Sequence, residues 1–447
     1  MEKIKIGKKI AKVMARDKKV LLTTTREVYP FMPERGYGDF VYDVEGNRFI
    51  DFSSFISVYN LGVGGNAAIK KAMVNQINSL THNAFTDYYS ERPVRFAEKL
   101  VSMMPRGFGG KVFYSNSGAE ANEAAVKFAK IFTKRRYFIS FYGAFHGRTG
   151  GVLGLTASKV LHKENLGPFP NVVHAIYPDT YRNPFNIDDG DELSKVCIDH
   201  IERNILGREL PPNEVAAIFV EPMQGEGGYI IPPKLFMKEL RRVADDNGIV
   251  LVADEIQTGY MRTGKFLALD NFDVQADIYT LAKSLGGGVP IGATITRTSL
   301  GDIPSGSHAN TFGGNLLAIA AAEASLDYVK KNMKSLQRNI KERGAQIMKR
   351  LKEMKERYEI IGDYRGIGLF IGMELVKDRK TKEPAVKAVE EVLNECFYNG
   401  LIVLPTGKSS IRIIPPLTVS QRNVESGMDI LEESVKKADT ENKQKKR

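Results

Sequence analysis

One lysine in this sequence is set up to act as a nucleophile. Lys283 ends the apolar run 278–282, and glycines occupy positions 286–288. Apolar surroundings disfavour the charged ammonium and lower the pKa of a lysine, which frees its amine to attack a carbonyl. The glycines allow positive φ angles and a close approach of the backbone to a flat ligand. The stretch therefore fits a lysine that forms a Schiff base, although a strand-end lysine pointing to water before a Gly-rich turn would give the same pattern.

A second apolar run, residues 249–253, ends in an acid, Asp254. In an α/β sheet this places the carboxylate at the carboxyl edge of the strands, where ligands bind and where it could pair with a protonated ring nitrogen. A magnesium-binding Walker B strand is the rival interpretation, because residues 259–265 imitate a P-loop. The rival is disfavoured, since Phe266 stands where Ser or Thr is needed and the stretch follows the acidic strand instead of opening the fold.

Two loops offer donors for an anion. Residues 115–122, Ser-Asn-Ser-Gly-Ala-Glu-Ala-Asn, lie at a predicted strand-to-helix junction, where free backbone N–H groups and the helix dipole favour a phosphate. Ser117–Ala119 could hold it, although Ser and Asn are also ordinary helix N-caps. The loop 308–314 leads into another helix and offers Thr311 as a second phosphate ligand.

Three side chains could contact a planar, acidic ligand. Phe145 can stack on a ring, and Arg148 in the same Gly-containing loop can bind a carboxylate through paired hydrogen bonds. Arg412 lies inside the apolar run 411–414, so it is either paired internally or directed at an anion.

Two acids, Glu221 and Glu226, follow the apolar run 216–220. Buried acids in such a loop suggest ligand or arginine partners. Each of these signals is weak alone. Together with Lys283 and Asp254 they describe a site for a planar, phosphorylated, lysine-linked cofactor whose ring nitrogen needs an acid, and that cofactor is pyridoxal phosphate.

The elements that must position these residues alternate between strand and helix. We predict strands at 111–115, 137–141, 216–221, 249–253 and 277–282, and helices at 119–134 and 233–247. This alternation predicts an α/β fold with a mainly parallel sheet flanked by helices. Further predicted elements are helices at 4–19, 66–80, 90–103 and 384–398, a β-meander at 37–52, a helix from 314 to 357 broken near Asn332, and strands within 362–375 and 401–414.

Composition limits the class of protein. A chain of 447 residues is long enough for two or three domains. It contains no apolar run long enough to span a membrane, and its first residues lack the apolar segment of a secretory signal. Cys197 and Cys396 form neither a metal-binding spacing nor a disulfide framework. We therefore expect a cytoplasmic protein without a metal site or a membrane partner.

The net charge of +11 is concentrated at the two ends. Residues 1–20 contain eight Lys or Arg against two acids, and residues 436–447 contain six against two. Terminal basic runs are more often solvated tails than binding arms. No helix-turn-helix, RNA-binding or zinc-finger signature accompanies them, so we expect no nucleic-acid partner.

Six stretches, in order, resemble the class III aminotransferases, the ornithine and 4-aminobutyrate type, with 4-aminobutyrate aminotransferase the nearest form. They are SNSGAEA (115–121), FHGRT (145–149), EPMQGEGG (221–228), LVADEIQTGYMRTG (251–264), LAKSLGGGVPIGA (281–293) and HANTFGG (308–314). The resemblance extends from YDVEGNRFIDF (42–52) to RIIPPL (412–417).

This resemblance implies a fold-type I homodimer with active sites at its interface. Its large domain would contain a mainly parallel seven-stranded sheet flanked by helices, and a smaller α/β domain would form from both chain ends. We expect residues 1–65 and 331–435 in the small domain, residues 66–330 in the large cofactor-binding domain, and residues 436–447 as a disordered basic tail.

The resemblance also implies the cofactor roles. Lys283 would form the Schiff base and carry a proton between the substrate Cα and the cofactor C4′, and Asp254 would keep the pyridine nitrogen protonated. The other implied cofactor-site residues are Phe145 stacked on the ring, His146 beside it, Gln257 at the ring hydroxyl, Ser117, Gly118 and Ala119 at the phosphate, and Thr311 reaching in from the other subunit.

Four residues are implied at the substrate. Arg148 would bind a distal carboxylate and Arg412 an α-carboxylate, while Glu226 would pair with Arg412 when no α-carboxylate is present. Ile56 stands where ornithine enzymes carry a tyrosine and 4-aminobutyrate enzymes typically carry isoleucine. These residues favour a ping-pong transfer from 4-aminobutyrate, or a similar ω-amino acid, to 2-oxoglutarate.

Three alternatives stay open at this point. A racemase or epimerase of amino acids, or an ornithine or lysine ω-aminotransferase, would use the same cofactor residues, and a non-enzymatic binding protein would use the basic ends. Two departures from the family pattern weaken the substrate inference: 62–66 is Gly-Val-Gly-Gly-Asn in place of Gly-His-x-x-Pro, and Asn315 is followed by leucine in place of proline.

Overall fold

The computed structural model describes residue 4, residues 7–22, residue 24, and residues 29–167, 169 and 171–446. Part of the helix predicted at 4–19 lies outside these residues. The strands are β1 Pro33–Tyr37, β2 Phe40–Asp43, β3 Arg48–Asp51, β4 Lys111–Ser115, β5 Tyr137–Phe141, β6 Val172–Ala175, β7 Val215–Val220, β8 Val250–Asp254, β9 Ile278–Leu281, β10 Gly292–Thr296, β11 Ile361–Ile367, β12 Phe370–Leu375, β13 Leu401–Ile402, β14 Leu404–Thr406 and β15 Ser410–Ile413.

The α-helices are α1 Lys8–Val20, α2 Ser54–Ser57, α3 Ala67–Ile77, α4 Glu91–Val101, α5 Gly118–Thr133, α6 Gly150–Leu153, α7 Gly190–Asp199, α8 Lys234–Asp246, α9 Leu316–Arg357, α10 Val386–Tyr398 and α11 Gln421–Lys446. A π-helix covers His200–Glu209, and 3₁₀ turns cover Val160–His162, Pro212–Glu214, Ala268–Asn271, Lys283–Gly286 and Thr298–Leu300. The break predicted in α9 is confirmed at Asn332, whose φ of −107° and ψ of 15° are not helical.

The chain divides into two compact units, residues 67–337 and residues 1–66 with 338–447. The first unit contains a seven-stranded sheet in the order β4-β10-β9-β8-β7-β5-β6. Strand β10 runs antiparallel to both neighbours and the other pairs are parallel. The prediction of a mainly parallel seven-stranded sheet is therefore confirmed.

The central strands are apolar because both faces of this sheet are covered. All six residues of β7 and all five of β8 are buried, as expected for parallel strands between helices. Helix α5 supplies small and aromatic side chains to this core, where Ala124, Ala125 and Phe128 join Phe219 and Val252 in one cluster. The sheet and α5 thus form a dry base for the loops at the strand ends.

The second unit contains two four-stranded sheets, β1-β2-β3-β13 and β11-β12-β15-β14. The predicted meander is formed by β1 to β3, and the strand β13 extends it in parallel with β3. Phe49 and Phe397 stack with ring centroids 5.0 Å apart in the core beside the first sheet.

An unusual left-handed turn follows β3. The four residues of α2, Ser54–Ser57, all have positive φ, between 43° and 62°. Non-glycine residues rarely adopt this conformation, and it costs about 1–2 kcal/mol each. Side chains restrain the turn: the Ser53 Oγ accepts from the Phe55 N–H at 3.1 Å, and the Ser54 Oγ donates to the Ile414 carbonyl at 2.7 Å.

The expected disordered tail is wrong for the residues described. Helix α11 continues through Lys446. Val435 and Ala438 are buried, and the buried Asp439 accepts a hydrogen bond from the Ile360 N–H at 2.9 Å. The Lys-rich composition gave no sign of these inward-facing positions. Their packing, rather than intrinsic helix propensity, stabilises the helix.

Among the described residues, no helix combines the length and apolarity needed to cross a lipid bilayer.

Candidate active site

The ends of five strands meet at one edge of the seven-stranded sheet. Asp254 ends β8 and pairs in register with Thr280 of β9, three residues before Lys283. The loops after β5 and β7 leave from the same carboxyl edge because these strands are parallel to β8. Two antiparallel steps through β10 give β4 the direction of β9, so Ser115 also ends at this edge. Topology therefore brings the predicted lysine, acid, aromatic loop and phosphate loop to one edge.

A buried group of three side chains, here called the acid cluster, consists of Asn122, His146 and Asp254. The Asp254 Oδ2 lies 2.8 Å from the His146 Nδ1 and accepts a hydrogen bond from the Asn122 Nδ2 at 2.7 Å. Its Oδ1 accepts from the Ile256 N–H at 3.1 Å. Asp254 is 4% exposed and Asn122 fully buried, so this carboxylate is shielded from water and stabilised by N–H donors.

The loop that carries Phe145 and His146 is fixed by side chains on both sides. The Glu221 carboxylate accepts from the Phe145 N–H and the Gly225 N–H, each at 2.9 Å. The Thr156 Oγ1 accepts from the His146 N–H at 2.9 Å and donates to the Gly147 carbonyl at 2.8 Å. The loop is thereby held rigidly against the sheet edge.

Burial raises the pKa of Glu221 to about 7, and the nearby Asp254 charge adds to this while His146 and the two N–H donors oppose it. The partners found for Glu221 are these backbone N–H groups. Among the described residues no arginine pairs with Glu221, because a carboxylate at a loop base can be satisfied by the backbone of a neighbouring loop. A ligand partner for Glu221 stays a prediction.

Lys283 begins the 3₁₀ turn after β9 and is half-buried. Its φ of 48° is positive, which is uncommon for a residue with a Cβ and often marks a functional constraint. Gly287 follows with a φ of 57°, and a Cβ there would lie 2.9 Å from the Ile69 Cδ1. The glycine run thus serves close packing beside the lysine.

The predicted phosphate end lies at the N-terminus of α5. The Ser117 side chain caps this helix by accepting from the Glu120 N–H at 3.2 Å. Gly118 and Ala119 occupy the first turn, and both are half-buried. The N-cap interpretation of Ser117 is thus correct, and it leaves the helix dipole directed at the same place.

A second, more exposed group, here called the arginine cluster, consists of Arg148, Lys159, His162 and Glu226. The Arg148 guanidinium carbon lies 5.1 Å from the centroid of the Phe145 ring, and its Nη2 lies 3.2 Å from the His162 Nε2. Lys159 pairs with Glu226 at 2.6 Å. Among the described residues, no Asp or Glu forms an ion pair with Arg148.

His162 is an uncharged partner for Arg148. Its pKa is lowered by burial, then by the charges of Arg148 and Lys159, with Glu226 opposing. Its Nδ1 lies 3.2 Å from the Ser158 Oγ, so the Nδ1–H can donate to serine while the Nε2 accepts from Arg148. The imidazole orients the guanidinium without cancelling its charge.

The remaining predicted residues are dispersed. Gln257 has a buried Oε1 without a hydrogen-bond partner among the described residues, while Thr311 is exposed beside Phe312. In the other unit, Ile56 lies in the left-handed turn and is 41% exposed. Arg412 donates to the Pro405 carbonyl at 3.1 and 2.7 Å. The predicted pairing of Glu226 with Arg412 stays a prediction.

Three residues of the site were missed by sequence reasoning. Asn122 and Thr156 carry no signal beyond their residue type, and His162 lies 14 residues after Arg148. Only the folded chain brings them to the predicted residues. Metal chemistry has no candidate among the described residues, where no three His, Cys, Asp or Glu are placed to hold an ion.

Comparison with known proteins gives concordant results. The model of the family described as aminotransferase class-III matches residues 23–435. The chain is 38% identical over 437 residues to alanine/serine racemase from Pyrococcus horikoshii, covering 96% of this chain and 91% of that protein. It is 36% identical over 402 residues to a probable 4-aminobutyrate aminotransferase from Bacillus subtilis, covering 89% and 91%.

A solved structure extends the likeness to the fold. It is taurine:2-oxoglutarate aminotransferase from Bifidobacterium kashiwanohense, in complex with PLP and glutamate. The TM-score is 0.90 at 27% sequence identity, over 98% of this chain and 99% of that one.

Proposed function

We propose, since this chain belongs to the class III aminotransferases, that it transfers the amino group of 4-aminobutyrate or a similar ω-amino acid to 2-oxoglutarate by a ping-pong reaction. The coarser statement follows from the family: the chain is a pyridoxal-phosphate enzyme of fold type I that acts on small-molecule amino and keto acids. The identity of the donor and of the acceptor is the proposal.

The residues at the sheet edge fit the cofactor, pyridoxal 5′-phosphate. The buried carboxylate of Asp254 suits a protonated ring nitrogen. The α5 N-terminus suits the phosphate, and the buried Gln257 Oε1 without a protein partner suits the ring hydroxyl. Lys283 supplies the amine at the end of the adjacent strand. The charge and polarity of these residues therefore match those of each part of the cofactor.

When bound, the cofactor would supply an electron sink for negative charge at the amine-bearing carbon of the substrate. The protein would supply the rest. Lys283 would hold the cofactor through its Nζ and move the proton at that carbon. Asp254 would place a negative charge at the ring nitrogen. Phe145 would stack on the ring, from a loop that Glu221 and Thr156 hold in place.

A single observation carries the substrate proposal: the Arg148 guanidinium lies over the Phe145 ring, without a carboxylate partner among the described residues. A cation in this position is suited to the distal carboxylate of 4-aminobutyrate, glutamate or 2-oxoglutarate. The neutral His162 leaves that charge intact. Ile56 stands, by the family resemblance, where ornithine enzymes carry a tyrosine, and an apolar residue at this position supports a donor without an α-amino group.

The decisive experiment is an absorption spectrum of the purified enzyme before and after adding 4-aminobutyrate without a keto acid. We expect the visible band of the cofactor to disappear and to return on adding 2-oxoglutarate. If the band persists with 4-aminobutyrate but disappears with ornithine or lysine, the amino donor is one of those two amino acids and the enzyme is still an aminotransferase. A band unchanged by every amine would contradict transamination.

Racemisation of an amino acid is the second candidate function. It is favoured by the 38% identity to alanine/serine racemase over 96% of the chain. A racemase returns the proton to Cα without releasing the amino group. Single-enantiomer alanine or serine, incubated without a keto acid, would then lose optical activity while its concentration stays constant, and this result would displace the aminotransferase proposal.

We further propose a cytoplasmic homodimer in which each subunit completes the other's phosphate site. Thr311, exposed in the chain described here, would bind the partner's cofactor. Mixing inactive Lys283→Ala subunits with impaired Thr311→Ala subunits should restore part of the activity, because each mixed dimer contains one intact site. Absence of any restoration, with mixed dimers verified by mass, would contradict a shared site.

A further inference from the structure

We infer that Asn122 is a positioning residue that locks Asp254 and the 145–149 loop into one arrangement. The inference rests on the proposed role of Asp254 at the cofactor ring, and not on which amino acid the enzyme accepts. Asn122 is not proposed to touch the cofactor. It acts through the carboxylate and through the loop that carries Phe145.

The geometry uses both hydrogens of one amide. The Asn122 Nδ2 donates to the Asp254 Oδ2 at 2.7 Å and to the His146 carbonyl at 2.8 Å. The first bond reaches the end of β8, and the second reaches the loop after β5. A single side chain on α5 therefore joins two chain segments that are 108 residues apart.

The orientation of the amide is determined by its surroundings. Rotating it by 180° would place the Asn122 Oδ1 against a carboxylate oxygen and a carbonyl oxygen, both of which only accept. In the present orientation the Oδ1 is buried without a partner among the described residues, whereas both N–H groups are satisfied. The site thus requires a double donor at position 122, and an aspartate or leucine of the same size cannot replace it.

The same carboxylate oxygen also receives His146. With Asn122 and His146 at the Asp254 Oδ2 and Ile256 at the Oδ1, three N–H groups face this carboxylate. Each of them stabilises negative charge in a dry environment. Removal of Asn122 takes away one of these donors and also the hydrogen bond to the His146 carbonyl in the loop. The stabilisation of the Asp254 charge and the position of its carboxylate therefore change together.

The test compares Asn122→Leu with a matched control, Thr156→Val. Both substitutions are nearly isosteric, and both remove hydrogen bonds to the 145–149 loop. The Thr156 hydroxyl, however, bonds only His146 and Gly147, and not Asp254. Three quantities are measured for each variant: the Kd of the apoenzyme for pyridoxal phosphate, the pH midpoint of the cofactor's absorbance in the holoenzyme, and the melting temperature.

For Asn122→Leu we expect the Kd to rise roughly tenfold or more, because a hydrogen bond to a charged group is lost, and the absorbance midpoint to move. For Thr156→Val we expect a lower melting temperature and the wild-type midpoint. A wild-type midpoint in Asn122→Leu, even with weaker binding, would overturn the inference, since a loosened loop alone would explain it.

Two further variants keep the result decisive. Asn122→Ser retains one donor and serves if the leucine variant does not fold, with a smaller shift of the same midpoint expected. Asp254→Asn is the reference for the proposed function. If it too has the wild-type Kd and midpoint, the role of Asp254 fails; if it is altered and the Asn122 variants are not, only the inference about Asn122 fails.

Discussion

The acid cluster and the arginine cluster lie in the same unit, yet they are built differently. Asp254 is 4% exposed and receives three N–H donors. In the arginine cluster, the Lys159 side chain is 40% exposed, and the exposed Arg148 contacts a ring face and one imidazole. The first cluster surrounds a buried charge with donors, whereas the second leaves a cation accessible to solvent.

The two clusters should differ in how well they tolerate substitution. A buried charge is tolerable only if every partner is in place, so a change at one position of the acid cluster is costly. An exposed cation has weaker requirements, and a neighbouring residue can change its orientation.

The largest effect is expected at Lys283, which would be required for transamination and for racemisation alike. Lys283→Ala should abolish both transamination and racemisation, because the covalent anchor and the proton carrier are lost together. Product formation from 4-aminobutyrate and racemisation of alanine are assayed in parallel, with the exposed Lys265→Ala as the control. Turnover near the wild-type rate in the Lys283 variant would refute the whole assignment.

Burial of Glu221, which supports the loop beside the acid cluster, should appear as a dependence of stability on pH. The folded-state pKa of Glu221, about 7, lies above the ordinary 4.5, so its contribution to stability is complete below pH 4.5 and is lost as the pH rises through 7. The span is about 3 kcal/mol at most. Melting temperatures of the apoenzyme from about pH 5 to pH 8 should therefore vary less in Glu221→Gln than in the wild type.

Glu255 provides the control for this experiment. It is equally buried, its pKa is raised by burial to about 7, and its partners, the Thr258 hydroxyl and the Leu269 N–H, lie outside the acid cluster. Glu255→Gln should also flatten the pH dependence but should leave the Kd for pyridoxal phosphate unchanged. An unaltered pH dependence in both variants would contradict the burial argument.

The exposed arginine should matter for some substrates only. Arg148→Ala should raise the KM for 4-aminobutyrate and glutamate about tenfold or more, the loss expected for a charged hydrogen bond. Simple monoamines, which lack the distal carboxylate, should be affected much less. Initial rates with both classes of donor measure the difference, and an equal loss for both would remove Arg148 from the carboxylate role.

The left-handed turn differs from both clusters, because an exposed side chain there coincides with backbone strain. Ile56 is 41% exposed at a φ of 62°. Ile56→Gly should stabilise the folded state by removing the strain of a left-handed residue, but it should also stabilise the unfolded chain by increasing its entropy. The net change in the free energy of unfolding is therefore expected to be within about 1 kcal/mol. Melting temperature and donor selectivity are compared with Ile56→Ala, which keeps the Cβ; a glycine variant less stable than the alanine variant would show that the turn is not strained.

The smallest effect concerns the orientation of Arg148. His162 stays neutral above its lowered pKa, so acidification below that pKa, which itself lies under the ordinary value of 6.5, should protonate it and repel Arg148. Lys159 and Glu226 face the same imidazole and partly offset each other. The KM for 4-aminobutyrate should rise a few-fold at low pH, and less steeply in His162→Gln; identical profiles would exclude His162 from this role.

Five strands of the seven-stranded sheet and most of its helices could be predicted from the sequence, whereas β6 and β10 were not. The runs at 111–115 and 137–141 form strands at those bounds, since both are rich in aromatic and β-branched residues. Helix α11 was not predicted, because its charged surface outweighs the residues it buries.

The chemistry at the sheet edge follows from the sequence alone. Lys283, Asp254 and the Gly-containing junction at 115–119 are local signals, because a strand end and a helix start place their own residues at the ligand edge. The cofactor class follows from these signals, and the family follows from the six ordered stretches that resemble the class III aminotransferases.

How the charges are held depends on the tertiary structure. Asn122 reaches Asp254 across 132 residues of sequence, Glu221 binds the Phe145 N–H across 76, and His162 contacts Arg148 across 14. Hydrogen bonds of this kind depend on side-chain distance and burial, which the folded chain sets and local sequence does not encode.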